Sequence, residues 1–246
     1  MQNIPKRPKY IVFDYGETLV HEDNFLPVPG FEAMLAHATK NPNSYTAKDL
    51  ASIFADAFQE LRWKVLHLGM EVPHIPRMRW LTELCGLEFD TDETGVEKLF
   101  WDGAAPGRET PGMAELLKRL RSCGIKTGVV SNIGFSGASL KNRIREVYPE
   151  HEFDFIMSSC DYLLLKPNAH LFRLALKKTG CDPSDVWFFG DNRYADIAGA
   201  AACGIFPVYY DCDLGCAFRS NPAVEKMPAC LTVHHWKELY PLFENE

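Results

Sequence analysis

The sequence predicts an α/β protein, a doubly wound parallel sheet whose first strand is followed by a helical insertion. Three observations predict it. The apolar run "YIVF" stops at Asp14, as a buried strand does when it delivers a polar tip. A long stretch of helical periodicity follows. From Thr110 onward, helix-like and strand-like segments alternate to the end of the chain.

In the insertion, "TAKD" at Thr46–Asp49 reads as a capping box with Asp in place of Glu. It opens a run in which Leu50, Ile53, Phe54, Ala57, Phe58, Leu61 and Val65 fall at helical spacing. Shorter helices are expected at Phe31–His37, Met78–Cys85 and Val96–Trp101, so the whole segment reads as helical. After it come helix "PGMAELLKRLRSCG", strand "IKTGVVS", helix "GASLKNRIREVY", strand "FDFIMSS", helix "AHLFRLALKKTG", strand "VWFFGD", helix "YADIAGAAACG" and strand "IFPVYY". Thr110 is the expected N-cap of the first of these helices, with Pro111 in its first turn and Gly124 at its end. "LTVHHWKELYPLF" closes the fold as a short strand and helix. The expected division is a Rossmann-like core of residues 1–24 and 107–246 and a helical cap of residues 25–106.

Open parallel sheets bind ligands beyond the carboxyl ends of their strands. Those ends read Asp14 after "IVF", Ser131-Asn132 after "GVV", Lys166-Pro167 after the third strand's loop and Gly190-Asp191 after "VWFF", with Asp196 shortly beyond. Singly, each is an ordinary cap or loop residue. Together they bring a carboxylate, a hydroxyl, a lysine and an acidic pair to one sheet edge.

The segments "VFDYGETLV", "VVSNIG", "LLLKPNAHLF" and "FFGDNRYADIAGAAACG", in this order, resemble the haloacid dehalogenase-like hydrolase superfamily, in its helical-cap branch. The resemblance covers nearly the whole chain and implies a Mg2+-dependent phosphatase of a small phosphorylated metabolite. It makes Asp14 the nucleophile and Ser131 the ligand of the phosphoryl oxygens, with Asn132 beside the substrate. Lys166 neutralises the charge at the centre. It gives Mg2+ to Asp14, the Gly16 carbonyl and Asp191, with Thr18, Asn192 and Asp196 supporting these groups from behind. Cap loops select substrates in this branch, so His74, Arg77 and Arg79 in "HLGMEVPHIPRMRW", between two expected cap helices, are candidate ligands for an anionic group.

The chain departs from the family's pattern just after the nucleophile, at Gly16 and at Glu17, where the family more often has Gly. Phosphatases of the superfamily carry a second Asp two residues after the nucleophile, which protonates the leaving oxygen; here that residue is Gly16. Loss of a positioned acid–base group costs about 10²–10⁴ in rate. Glu17 is the next carboxylate and reads as solvated or turned toward the cap. Two alternatives stay open: a ligand-binding protein without turnover, and a carbon–phosphorus bond hydrolase using a cap lysine, Lys40, Lys48 or Lys64. A phospho-acceptor signalling domain shares the residue types but not their order.

The formal net charge of −7 offers no basic field for nucleic acid or an anionic membrane. "MQNIPKRPKYIVFD" lacks the apolar core of a signal peptide, and the expectation is a cytoplasmic protein with reduced cysteines. Cys212, Cys216 and Cys230 share one segment with His234 and His235, a zinc candidate without a Cys-x-x-Cys pair. The oligomeric state is not legible.

Overall fold

The computed structural model describes residues 5–216 and 221–244. Residues 1–4, residues 217–220 of the cysteine-containing segment and residues 245–246 lie outside the described residues. Six parallel strands form the central sheet: β1 (Tyr10–Phe13), β6 (Lys126–Ser131), β7 (Phe155–Ser158), β8 (Val186–Gly190), β9 (Phe206–Tyr210) and β10 (Leu231–Val233). Their order is β10-β9-β8-β1-β6-β7. The first strand in sequence is thus flanked by β6 and β8, and the strand order reverses direction there. That is the point at which such sheets open a crevice at their carboxyl ends.

Alternation along β1 explains the two-sided burial. Tyr10 and Val12 face one apolar cluster with Val130, Phe172 and Phe188; Ile11 and Phe13 face the other with Val129, Trp187 and Phe189. Helices α8 (Ala169–Thr179) and α9 (Gly199–Ala202) cover the first face through Leu171, Phe172, Ala175 and Ala200. Helices α5 (Met113–Ser122) and α6 (Gly137–Val147) and a 3₁₀ segment (Trp236–Phe243) cover the second through Leu116, Leu120, Leu140, Ile144, Trp236 and Leu239.

Between β1 and α5 lie α1 (Pro27–Leu35), α2 (Ala47–His67), α3 (His74–Cys85) and α4 (Glu93–Ala104). The capping box forms as the sequence indicates: Thr46 Oγ1 accepts from Asp49 N, and Asp49 Oδ2 accepts from Thr46 N at 2.8 Å. The segment is not wholly helical. Strands β2 (Val20–Glu22) and β5 (Gly107–Glu109) pair antiparallel where the chain enters and leaves it. Strands β3 (Ala38–Lys40) and β4 (Glu88–Phe89) make a second short pair. Helix α3 begins at His74, ahead of the expected Met78, because Pro76 falls in the first turn, where no backbone donor is needed. Part of the expected loop is therefore helix.

Thr110 is not an N-cap. Gly112, with φ of 88°, precedes α5, while Thr110 Oγ1 donates to the Thr18 carbonyl at 2.6 Å and accepts from Trp236 Nε1. The helix expected over "YADIAGAAACG" opens instead as a π-helical turn (Arg193–Ala198) before α9, capped by the Asn192 side chain, and the closing helix expected in "LTVHHWKELYPLF" is the 3₁₀ segment. Such turns recur at functional sites. Among the described residues no helix is long and apolar enough to cross a membrane.

Candidate active site

Asp14 follows β1 directly, and its N–H donates to the Phe189 carbonyl at 2.8 Å, fixing the strand tip against β8. Lys166 Nζ lies 2.6 Å from Asp14 Oδ1 and 2.7 Å from Asp196 Oδ1, and also donates to the Val130 carbonyl at 2.8 Å. The contacts to Asp14 and Val130 are hydrogen bonds, and the contact to Asp196 is a close ion pair. Burial disfavours its charge, but the Asp14 and Asp196 carboxylates outweigh burial and raise its pKa above that of an ordinary lysine. Burial pushes the Asp196 carboxyl up to about 6, with Lys166 pulling the other way.

The backbone around Lys166 is held by Asn132. Its Oδ1 accepts from Lys166 N at 2.7 Å and its Nδ2 donates to the Lys166 carbonyl at 2.9 Å. Asn132 therefore positions the lysine, where the sequence suggested substrate contact alone; it also borders the cavity described below. Ser131 is buried at the end of β6, in register with Ser158. Asn192 N donates to Asp196 Oδ2 at 3.0 Å, and Gly190 lets that carboxylate approach: a Cβ at Gly190 would collide with it.

Carboxylate oxygens of Asp14, Asp191 and Asp196 lie within 4.8 Å of one another. Set against the single Lys166 ammonium, they leave the cluster net negative, and hard oxygen donors in this number suit a divalent cation. This is the metal-competent group among the described residues. The late Cys/His segment is not: His234 Nδ1 contacts the Asp211 carbonyl, His235 caps the 3₁₀ segment and Cys230 Sγ lies near Thr232.

Gly16 forms an isolated bridge with Val20 in the loop beyond Asp14. Thr18 is fully buried, its hydroxyl without a protein partner. Glu17 is not solvated. It is buried, at a φ of 57°, with Oε2 against His21 Nδ1 at 2.7 Å and Oε1 near Glu22 N. His21 Nε2 in turn meets Asp23, which Arg108 grips with two hydrogen bonds.

The insertion closes over the loops at the sheet edge. The turn between α2 and α3 bridges Leu164 through Met70; Glu71 N donates to the Leu163 carbonyl at 3.2 Å and Leu165 N to the Gly69 carbonyl at 3.0 Å. Ser159 Oγ donates to Glu71 Oε2 at 2.8 Å, and His74 N to the Gly134 carbonyl at 2.8 Å. Trp101 of α4 stacks on Phe135 with centroids 4.2 Å apart, and Arg143 lies over the Trp101 ring.

A cavity of about 640 Å³ lies between α2, α3, α4 and residues 132–135. His74 and Arg77 both line it. The Arg77 guanidinium is turned to the Pro73 and Val72 carbonyls and lies over Phe54. Arg79 is not brought there: it is exposed and ion-paired with Glu93. Lys40 and Lys64 form exposed ion pairs with Glu88 and Glu60, and neither they nor Lys48 line the cavity.

A family model described as haloacid dehalogenase-like hydrolase matches residues 8–204. The chain belongs to the haloacid dehalogenase-like hydrolases. Glyceraldehyde 3-phosphate phosphatase of Pyrococcus abyssi (strain GE5 / Orsay) is 26% identical to this hydrolase over 209 residues, 82% of this chain and 81% of that one. A crystal structure of a dehalogenase with an intermediate complex superposes with a TM-score of 0.58 at 18% identity, covering 98% of this chain and 100% of its own. The HAD-hydrolase YfnB from Bacillus subtilis, bound to magnesium, gives 0.57 at 19% identity, with 98% and 100% coverage. At those identities the structural likeness is one of fold. The haloacid dehalogenase-like assignment makes this protein a hydrolase, with a cluster of aspartates competent for a metal at its strand tips.

Proposed function

We propose that this hydrolase is a Mg2+-dependent phosphatase of a small phosphorylated metabolite, working through an aspartyl-phosphate on Asp14. The observation that carries the reading is the convergence of the Asp14, Asp191 and Asp196 carboxylates on one point beside Lys166. Displacement of halide from carbon develops no phosphoryl charge and needs no divalent cation, so a carboxylate group able to hold one favours phosphoryl transfer. Relatives named as phosphatases support the same reading. Asp14 and Asp191, with the Gly16 main-chain carbonyl, are the residues that would hold Mg2+. When bound, the ion supplies positive charge to the phosphoryl oxygens and lets two anions approach.

An oxygen of Asp14 attacks phosphorus, the bond from phosphorus to the leaving oxygen breaks, and that oxygen departs with the electron pair. Lys166, held by Asp14 and Asp196, balances charge at the nucleophile, and the Ser131 hydroxyl takes a phosphoryl oxygen. Water then attacks phosphorus of the acyl phosphate, releasing inorganic phosphate and restoring Asp14. Thr18, Asn192 and Asp196 keep the loops and Lys166 in place. Gly16 has no side chain to give the leaving oxygen a proton, so esters that leave readily as anions react fastest.

The test is phosphate release from p-nitrophenyl phosphate with Mg2+ and with EDTA, for the wild type and Asp14→Asn, beside halide release from a 2-haloacid. Mg2+-dependent release that Asp14→Asn abolishes supports the reading. Halide release without phosphate release overturns it.

A further inference from the structure

The phosphoryl chemistry above leaves one charged side chain of the cavity wall unused. Helix α2 turns Phe54, Phe58 and Arg62 toward the cavity, residues four apart on one helical face. The two rings are half-buried and Arg62 is exposed, so this stripe runs from apolar to cationic along the helix. Asn132 borders the same cavity, which therefore also reaches the residue next to Ser131.

Among the described residues Arg62 makes no hydrogen bond or ion pair. Its helical neighbours three and four positions away are Phe58, Gln59, Val65 and Leu66, none of them acidic, whereas Lys64 on the same helix pairs with Glu60 at 2.6 Å. The acids in the cavity wall are engaged elsewhere. Glu22 accepts from the Tyr15 hydroxyl, Trp101 Nε1 and Arg143 Nη1, and Glu71 from Val72 N and the Ser159 hydroxyl. Arg77 spends Nε and Nη2 on the Pro73 and Val72 carbonyls, and its Nη1 keeps accessible surface without a protein partner. Burial, reinforced by the nearby Arg62 charge, lowers the Arg77 pKa to about 10, with Glu71 pulling the other way, so the group stays protonated at pH 7. Two guanidiniums thus share one cavity. Glu71 is the counter-charge of Arg77 and Arg143 that of Glu22, which leaves Arg62 as the cation of this wall with no partner.

We propose that Arg62 binds a carboxylate on the organic body of the phosphate ester, so that the substrate is a phosphorylated carboxylic acid whose carbon chain lies along Phe54 and Phe58. The proposal rests on the phosphatase reading and names its substrate class. The planar guanidinium fork matches a carboxylate with two parallel hydrogen bonds. A single negative charge suits one open cation. A second phosphate, at about −2 near neutral pH, would be repelled by the Glu22 and Glu71 carboxylates of the same wall. The half-buried rings give the intervening methylenes apolar surface to cover. Glyceraldehyde 3-phosphate, named for the Pyrococcus relative, carries no second anion for Arg62.

The test compares ω-(phosphonooxy)alkanoates of roughly three to eight carbons, each with its own methyl ester, which removes the charge and leaves the leaving oxygen nearly unchanged. With Mg2+, kcat/KM for at least one acid is expected to exceed that for its methyl ester by about five- to tenfold, between the worth of an exposed ion pair and that of a charge-assisted hydrogen bond. Arg62→Gln removes that gain, chiefly through KM, and Arg62→Lys keeps part of it. Equal kcat/KM for acid and methyl ester along the whole series, or an Arg62→Gln variant that keeps the preference, overturns the proposal and leaves the phosphatase reading intact. An alkane bisphosphate of matched length that outdoes every acid in kcat/KM per phosphate overturns the choice of carboxylate. If no ester turns over, the phosphatase reading fails. Calorimetric titration of the same compounds with Mg2+ present then decides the site: tighter binding of an acid than of its methyl ester, lost in Arg62→Gln, sustains the carboxylate site, and equal binding overturns it.

Discussion

His21 Nδ1 meets Glu17 Oε2 at 2.7 Å inside the loop that leaves Asp14, and both side chains are buried. The pair sets the shape of that loop, since Glu17 sits at a positive φ that a non-glycine residue adopts only when its surroundings hold it there. Removing the imidazole strips a buried carboxylate of a partner, so His21→Phe is expected to lower unfolding stability by about 1–3 kcal/mol in a urea titration. Asp23→Asn at the exposed end of the same chain of contacts is expected to stay near wild type. Equal losses for the two variants would show that the inner contact has no special weight.

Lys166 and Asp14 are not equivalent in stability. Lys166→Met leaves Asp14 and Asp196 buried together without their cation and is expected to cost about 3–5 kcal/mol. Asp14→Asn leaves the ammonium beside Asp196 and costs less. Denaturant midpoints of the two variants check the order, and both should be inactive.

Gly16→Asp restores a side chain that can carry a proton. The rate toward alkyl phosphates is expected to rise, by up to about 10²–10⁴, and the rate toward p-nitrophenyl phosphate to rise far less, because that leaving group needs no proton. A leaving-group series on the two proteins measures the change as a shallower slope in the variant.

Stability should depend on pH through His151. Burial, reinforced by Arg121, lowers its pKa from 6.5 to about 4, and Nε2 lies 2.8 Å from Thr127 Oγ1. Between those two values the unfolded chain binds more protons than the folded one. Stability from this group is therefore complete above 6.5 and is lost as pH falls toward 4. Urea midpoints at about pH 7 and about pH 5 should differ less in His151→Gln than in the wild type.

The parallel sheet and its polar tips were legible because each depends on local sequence: an apolar run, a turn, then Asp14, Ser131 or Asp191. The capping box at Thr46 was legible for the same reason. Contacts between distant segments left no such trace. Glu17 and His21 stand four apart in a segment that is not helical, so nothing in their spacing announces a pair. Thr110 looks like a cap until the fold brings the Thr18 carbonyl to its hydroxyl. Arg79 and His74 share a helix, yet α3 turns one outward to Glu93 and buries the other among rings supplied by α2, α4 and the loop after β6. Helical spacing from His74 places Arg77 on the inner face and Arg79 off it, a signal available once the helix is known to begin at His74.

The bridge between Met70 and Leu164 bears on the tempo of turnover. Two main-chain hydrogen bonds tie the α2–α3 turn to residues one and three positions short of Lys166. At about 0.5–1.5 kcal/mol net for each, parting them costs about 1–3 kcal/mol, so between roughly one molecule in six and roughly one in 160 has this seam undone at any moment. An alcohol or phosphate that must leave through the seam waits for that minority. For esters that break down quickly, the clock of the reaction would then be the seam rather than the phosphorus, and the rate would follow solvent viscosity instead of the leaving oxygen's basicity.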